Sequence, residues 1–261
     1  MKYSSCIDMM FADLPFEKRF KAAADCGLNA VEFWKWSNKN LDFVCKELKN
    51  NGLQFSVFNI DSQNEQLSYD LSRGILNAGR VKDFLAALKE SIPVYKKLNA
   101  AGMIVLIGET IKDLSKEAQN ANILKCLKAA APLAEENGVT LVVEPLNSFD
   151  RENYYMPYAA DLFKILNEVN SPAVKMLYDI YHQHKMGDFS LAEIDRNLAR
   201  IGHFHVADCP GRHEPGTGTA NYVAILKHLK ALNYGGYIGL EYRATKPDSQ
   251  TLNFINEVEN K

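Results

Sequence analysis

Four apolar runs in the second half of the chain each end on a side chain that can bind a metal. They are VVE at Glu144, MLYD at Asp179, HFH at His205 and IGLE at Glu241. A single Glu or Asp closing a strand is ordinarily a loop salt bridge or a helix cap, and His205 alone would read as a core histidine. Four such ends in succession carry more meaning. If the sheet closes into a barrel, the carboxyl ends of its parallel strands meet at one mouth, where these side chains aim at a common point. Three carboxylates crowded together repel one another and tend to hold protons. A divalent cation removes that conflict. Three oxygens and one imidazole suit Mn²⁺ or Mg²⁺, with Co²⁺ or Zn²⁺ also compatible. Open coordination positions would then take substrate oxygens.

Other residues fall around this point. His182 follows Asp179 by three in DIYHQH, in the turn after a strand, where it can touch substrate; His184 reads as solvated or structural. Arg212 lies in the ordered turn PGRHEPGTG (210–218), just after the run bearing His205, and is placed to clamp an anion. By the period of two, His203 shares a face with His205 lower in the barrel and is either structural or a support for the ligands. Glu32 is either a binding residue or the buried partner of a cation. Trp34 and Trp36 either wall the site or pack on the first helix. Cys209 lies nearby, but no nucleophile–base pattern supports covalent catalysis.

What must position these residues is a recurring unit, in which a helical stretch closes on Asn or Gly and a short β-rich run follows. It occurs at 25–33, 50–60, 100–108, 137–145, 200–208 and 234–242. Gly suits the left-handed residue that ends a helix. The apolar, β-branched runs suit strands buried on both faces. Two more strands fit the gaps, Tyr3–Met9 and Val174–Tyr178. Helical stripes lie between them at 81–98, 116–136, 158–169 and 221–232, and Pro15 starts another helix. Pro93 predicts a kink or break in the first of these. Eight strands alternating with helices predict a (β/α)8 TIM barrel, a single domain over residues 1–261. A doubly wound sheet would carry a Gly-rich nucleotide turn after an early strand, and none is present. Residues 61–80 are poorly patterned and follow the third strand on the site's side, as either a lid or a surface insertion.

Composition narrows the function classes. The chain has 261 residues, 47% hydrophobic and 24% charged, enough apolar surface to exclude a disordered protein. Its net charge of −2 gives no general attraction to nucleic acid or to an anionic membrane. No run approaches the roughly 20 apolar residues of a membrane span, and the N-terminus lacks a signal-peptide core. Five cysteines without a CxxC read as reduced thiols of a cytoplasmic protein.

The whole chain resembles the xylose-isomerase-like barrels, and most of all the hydroxypyruvate isomerase family, which includes 2-oxo-tetronate isomerases. The resemblance is carried by 9–34, VEPLNSFD (143–150), YDIYH (178–182), PGRHEPGTG (210–218) and GLEY (239–242), in the same order. It implies a divalent metal held by Glu144, Asp179, His205 and Glu241, with Glu144 and Glu241 also the catalytic acid/base pair. It implies substrate contacts from His182 and Arg212, and from Asp150, where related ketose epimerases place a further carboxylate. It also implies a homo-oligomer, as dimer or tetramer. One departure stands out: hydroxypyruvate isomerases often carry Gln where this chain has His205, and ketose 3-epimerases carry His.

The implied reaction moves a carbonyl to the neighbouring carbon of a small hydroxy-oxo acid or sugar. One carboxylate removes a C–H proton, the metal stabilises the enediolate, and a second carboxyl group returns a proton next door. The expected substrates are hydroxypyruvate/tartronate semialdehyde or a 2-oxo-tetronate. C3 epimerisation of neutral ketopentoses or ketohexoses shares the intermediate and is the alternative. An apurinic endonuclease of the same superfamily would need more His ligands and a basic DNA surface, against which six histidines and a charge of −2 argue. A non-catalytic sugar-binding barrel would not keep all four strand-end ligands.

Overall fold

The computed structural model describes residues 1–78 and 81–260. Its strands are β1 (Lys2–Cys6), β2 (Ala30–Glu32), β3 (Gln54–Phe55), β4 (Val57–Asn59), β5 (Gly102–Leu106), β6 (Leu141–Glu144), β7 (Val174–Asp179), β8 (Ile201–Val206) and β9 (Tyr237–Leu240). All neighbours are parallel, in the order β3-β2-β1-β9-β8-β7-β6-β5-β4. The single strand expected within 50–60 is two short segments parted by Ser56. The first pairs with β2 and the second with β5. Ser56 bridges them: its N–H donates to Val31 O at 3.0 Å and its carbonyl accepts from Gly102 N–H at 3.0 Å. One stretch of chain thus carries both ends of the sheet, and the barrel closes through it.

The expected stripes at 81–98, 116–136, 158–169 and 221–232, and the segment after Pro15, are helical, and further helices lie between and beyond them. The helices are α1 (Phe16–Asp25), α2 (Leu41–Asn50), α3 (Glu65–Ser72), α4 (Ile75–Ala78), α5 (Val81–Leu98), α6 (Lys116–Asn137), α7 (Ala159–Val169), α8 (Ile180–Lys185), α9 (Leu191–Asn197), α10 (Tyr222–Ala231) and α11 (Asn253–Glu259). Ser115 caps α6 by accepting from Ala118 N–H, and Gly138 ends it at φ 64°. One expectation needs correction. The first strand stops at Cys6 rather than Met9, because Met9 and Met10 turn their N–H groups back onto Cys6 O. Of the kink or break expected at Pro93, the break does not occur, since α5 continues through it.

Strand alternation sorts the core. Outward residues such as Met103, Val143, Met176, Tyr178, Phe204, Ile238 and Leu240 join the large cluster under the helices. Inward residues Val57, Ile104, Val142 and Leu177 form a small cluster inside the barrel. The same alternation turns Glu144, Asp179 and His205 inward at the carboxyl ends of β6, β7 and β8, with Glu241 one residue past β9.

The described part of segment 61–80 is a packed wall, with Leu71, Ile75 and Leu76 buried. Asn64 caps α3, and Glu90 accepts from Ser62 Oγ at 3.0 Å. Arg73 pairs with Glu109, and Arg151 Nη2 donates to Ser72 O at 3.3 Å. The remainder, residues 79–80, lies outside the described residues.

Candidate active site

The four strand-end residues converge as the barrel geometry requires. Glu144, Asp179, His205 and Glu241 are all buried, and each offers a ligand atom within 4.8 Å of the others'. His205 Nδ1 stands 3.4 Å from Glu144 Oε1 and 3.5 Å from Glu241 Oε2. Asp179 caps the short helix α8, its Oδ1 accepting from His182 N–H at 3.2 Å. That bond explains why a strand ending in Asp runs straight into a helical turn.

Electrostatics show the conflict that three carboxylates create. Burial pushes Asp179 up to about 7 despite the nearby Arg212 and His205. Burial also raises Glu144, with His205 pulling the other way. Glu241 is held below the usual carboxylate range, because Arg212 and His205 outweigh its burial. His205 is burdened by burial but driven up by Glu241 and Glu32, so without a cation the imidazolium is favoured.

The donor set fits a divalent cation on the structure's own terms. Glu144 Oε1 and His205 Nδ1 are buried and have no hydrogen-bond partner among the described residues. Buried polar atoms are normally satisfied. A cation at the common point would satisfy both and relieve the carboxylate repulsion.

A pocket of about 580 Å³ opens above this floor. His182 lines it and is fully buried. Asn147 N–H donates to His182 Nδ1 at 3.1 Å, which puts the ring proton on Nε2. His182 Nε2 lies 3.3 Å from Asp179 Oδ2 and has no hydrogen-bond partner among the described residues. Burial and the Arg212 charge keep His182 neutral, well below its ordinary pKa. The residue is thus a neutral donor at the pocket.

Arg212 also lines the pocket, held at φ 57° in the left-handed region. Its loop is pinned by Asp208, whose carboxylate accepts from the backbone of Cys209, Gly216 and Ala220. The guanidinium is not simply a free anion clamp. Its Nη2 bonds Glu241 Oε2 and its plane lies over the Tyr181 ring, 5.3 Å from the centroid. Asp150 lines the pocket too, but its oxygens are engaged by Lys185 (2.5 Å), Tyr181 (2.6 Å) and Asn147 (3.0 Å). Lys185 and those hydrogen bonds, outweighing burial, hold its pKa at about 2.

The two tryptophans separate. Trp34 walls the pocket and donates from Nε1 to Glu241 Oε1 at 2.7 Å. Trp36 is buried, bonded to Ser91 Oγ at 3.0 Å. His184 stacks on Phe189, 4.2 Å between centroids, away from the ligands. Sequence reasoning missed Asn147, which orients His182, and Asn59, which lines the pocket. Asn59 had a readable signal, a polar residue at the end of an apolar strand. Asn147 had none beyond its place in the loop after Glu144.

A family model described as xylose isomerase-like TIM barrel matches residues 20–258. Hydroxypyruvate isomerase of Escherichia coli is 29% identical over 252 residues, covering 96% of this chain and 95% of that protein. A 2-oxo-tetronate isomerase of Cupriavidus necator is 30% identical over 256 residues, covering 97% of each. A crystal structure from Brucella melitensis, described as an AP endonuclease of family 2, superposes with a TM-score of 0.88 at 25% identity, over 97% of each chain.

Proposed function

The chain belongs to the xylose isomerase-like TIM barrel family, and on that premise we propose that it is a divalent-metal-dependent isomerase of a small hydroxy-oxo acid. One observation carries the proposal: four buried donors from successive strands lie within 4.8 Å of one another, at the floor of a pocket rimmed by neutral His182 and Arg212. The relatives named above as hydroxypyruvate and 2-oxo-tetronate isomerases support the isomerase class and the acid substrates.

Glu144, Asp179, Glu241 and His205 through Nδ1 would hold the cation. When bound, it supplies Lewis-acid stabilisation of the negative charge that develops on the substrate's neighbouring oxygens. The chain's own residues do the rest. Glu144 and Glu241 approach from different strands, so two carboxylates are available on the reacting carbons, one to take a proton and one to return it. Positioned proton transfer of this kind contributes about 10²–10⁴-fold. His182 Nε2–H donates to a substrate oxygen, and its neutrality lets it stabilise charge without adding a repelling cation beside the metal. Arg212 keeps Glu241 ionised and leaves the remaining edge of its fork for the substrate carboxylate. Trp34 fixes the other oxygen of Glu241 and walls the pocket.

Epimerisation of a neutral ketose is the second reading, favoured by His205 in the ligand set. The nuclease description of one solved relative finds less support here, since a net charge of −2 offers DNA no general attraction. The test is a substrate panel of hydroxypyruvate, a 2-oxo-tetronate, ribulose, psicose and tagatose, run on chelator-stripped protein with Mn²⁺ or Mg²⁺ restored. We expect turnover of the acids only after metal is added. Full activity in stripped protein would overturn the metal role; good turnover of ketoses with none of acids would replace isomerase by epimerase.

A further inference from the structure

The barrel interior is apolar on one side and polar on the other. Beneath the carboxylates at the mouth, β4 to β7 turn Val57, Ile104, Val142 and Leu177 inward as an apolar cluster. Opposite them, β8, β9, β1 and β2 contribute His203, His205, Gly239, Ser4 and Glu32, with Ser56 from the break between β3 and β4. The metal centre accounts for His205. It does not account for Glu32, a fully buried carboxylate on β2, with β1 and β9 lying between it and β8. Removing a carboxylate from water costs several kcal/mol unless partners compensate, so its partners reveal its role.

Each Glu32 oxygen has a different task. Oε2 accepts from Ser56 Oγ at 2.6 Å, and Ser56 Oγ is itself 2.6 Å from Ser4 Oγ. His203 Nε2 lies 3.3 Å from the same oxygen. Oε1 lies 2.9 Å from His205 Nε2, an electrostatic contact without aligned hydrogen-bond geometry, on the ring edge facing away from Glu144 and Glu241. A glycine makes room for this meeting. A Cβ on Gly239 would fall 2.6 Å from His205 Cδ2, and 2.7 Å from both Glu32 Oε1 and His203 Nε2.

An imidazole binds a cation through Nδ1 only if that nitrogen is free of its proton, which must then sit on Nε2. A carboxylate facing Nε2 favours that tautomer, restrains the ring and makes the opposite nitrogen a better donor. We propose that Glu32 is a positioning residue for the metal centre, setting the tautomer and orientation of His205 from across the barrel. Ser56 and Ser4 fix the carboxylate, and Gly239 leaves it space. The inference rests on the metal centre proposed above and adds to it a residue that touches neither cation nor substrate. Glu32, His203 and His205 also have donor atoms within 4.8 Å of one another. A second cation there is the competing reading, and the same experiment decides it.

The experiment is a Mn²⁺ titration of metal-stripped protein, followed by electron paramagnetic resonance of the free ion, for wild type, Glu32→Gln and Ser56→Ala. Wild type should bind one Mn²⁺ per chain. Glu32→Gln should weaken Mn²⁺ binding by about 10–100-fold, the range typical of a lost partner to a metal-binding histidine. Its metal-free circular dichroism should stay native. In a His205→Gln background, Glu32→Gln should cause no further loss, because no imidazole remains to be oriented. If Glu32→Gln does not fold, Ser56→Ala carries the test: weaker binding when His205 is present and unchanged binding when it is Gln. Unchanged affinity in Glu32→Gln, or an equal loss in the His205→Gln background, overturns the proposal and leaves the metal centre standing. Two Mn²⁺ per wild-type chain, falling to one in Glu32→Gln, overturns it in favour of a second site. No Mn²⁺ uptake by wild type removes the metal centre and this inference together.

Discussion

Replacing Arg212 by Met keeps the aliphatic stem and removes the charge that sits on Glu241. The guanidinium bonds Glu241 Oε2 in a setting where the carboxylate is 6% and the arginine side chain 25% exposed. Without it, Glu241 shares its neighbourhood with Glu144 and Asp179 and, among the described residues, keeps the Trp34 indole as its hydrogen-bond donor. Breaking a buried pair by deleting one partner costs about 3–5 kcal/mol, because the other charge is left uncompensated. The partial exposure of Arg212 and the nearness of His205 place the expected loss at the lower end, about 3 kcal/mol in metal-free protein. For a chain of this size that is a fall in Tm of about 6–12 °C. A cation bound by Glu241 would supply the missing positive charge, so saturating Mn²⁺ should recover most of the loss. The assay is urea unfolding of wild type and Arg212→Met, each with chelator and with Mn²⁺. A loss under about 1 kcal/mol, the value of an exposed surface pair, would refute the argument. So would an equal loss with and without metal, since the two charges would then not be serving the same carboxylate.

Three further outcomes follow from the same geometry. Glu241→Gln keeps size and one ligand oxygen but removes the base, so kcat should fall by about 10²–10⁴-fold with KM changed far less; steady-state kinetics with near-normal kcat would exclude a proton-transfer role. Arg212→Lys keeps the charge but loses the planar fork, so hydroxypyruvate-type acids should lose about tenfold or more in kcat/KM, and neutral ketoses much less; equal losses for both classes would show that Arg212 serves Glu241 alone. Asp150 has its pKa lowered to about 2 by Lys185, Tyr181 and Asn147. Its stabilising contribution is therefore present above the unfolded value of about 3.9 and lost as pH falls towards about 2. Asp150→Asn should accordingly lose less stability than wild type between about pH 4 and about pH 2 in chemical unfolding, and parallel profiles would contradict that assignment.

The amino-acid sequence by itself marked the four strand-end residues that meet at the barrel mouth. Strand side chains alternate with period two, so an apolar run ending on Glu144 or Asp179 commits that carboxylate to the inward face once its neighbours pack outward under the helices. Helix-ending Asn and Gly residues marked where most strands begin, whereas α5 carries Pro93 without a break because packing can outweigh local propensity. These are local signals, encoded within a few residues. Contacts between distant segments decided the rest. The indole of Trp34 reaches Glu241 across 207 positions of chain, and Asn147 sets the tautomer of His182 from a neighbouring loop. Arg212 turns onto Glu241 because its loop is pinned by Asp208. Glu32 crosses to His205 because Gly239 and two serines leave the space. No local pattern encodes such partners. They depend on the register between strands and on barrel closure through Ser56, which set which side chains end up a bond's length apart.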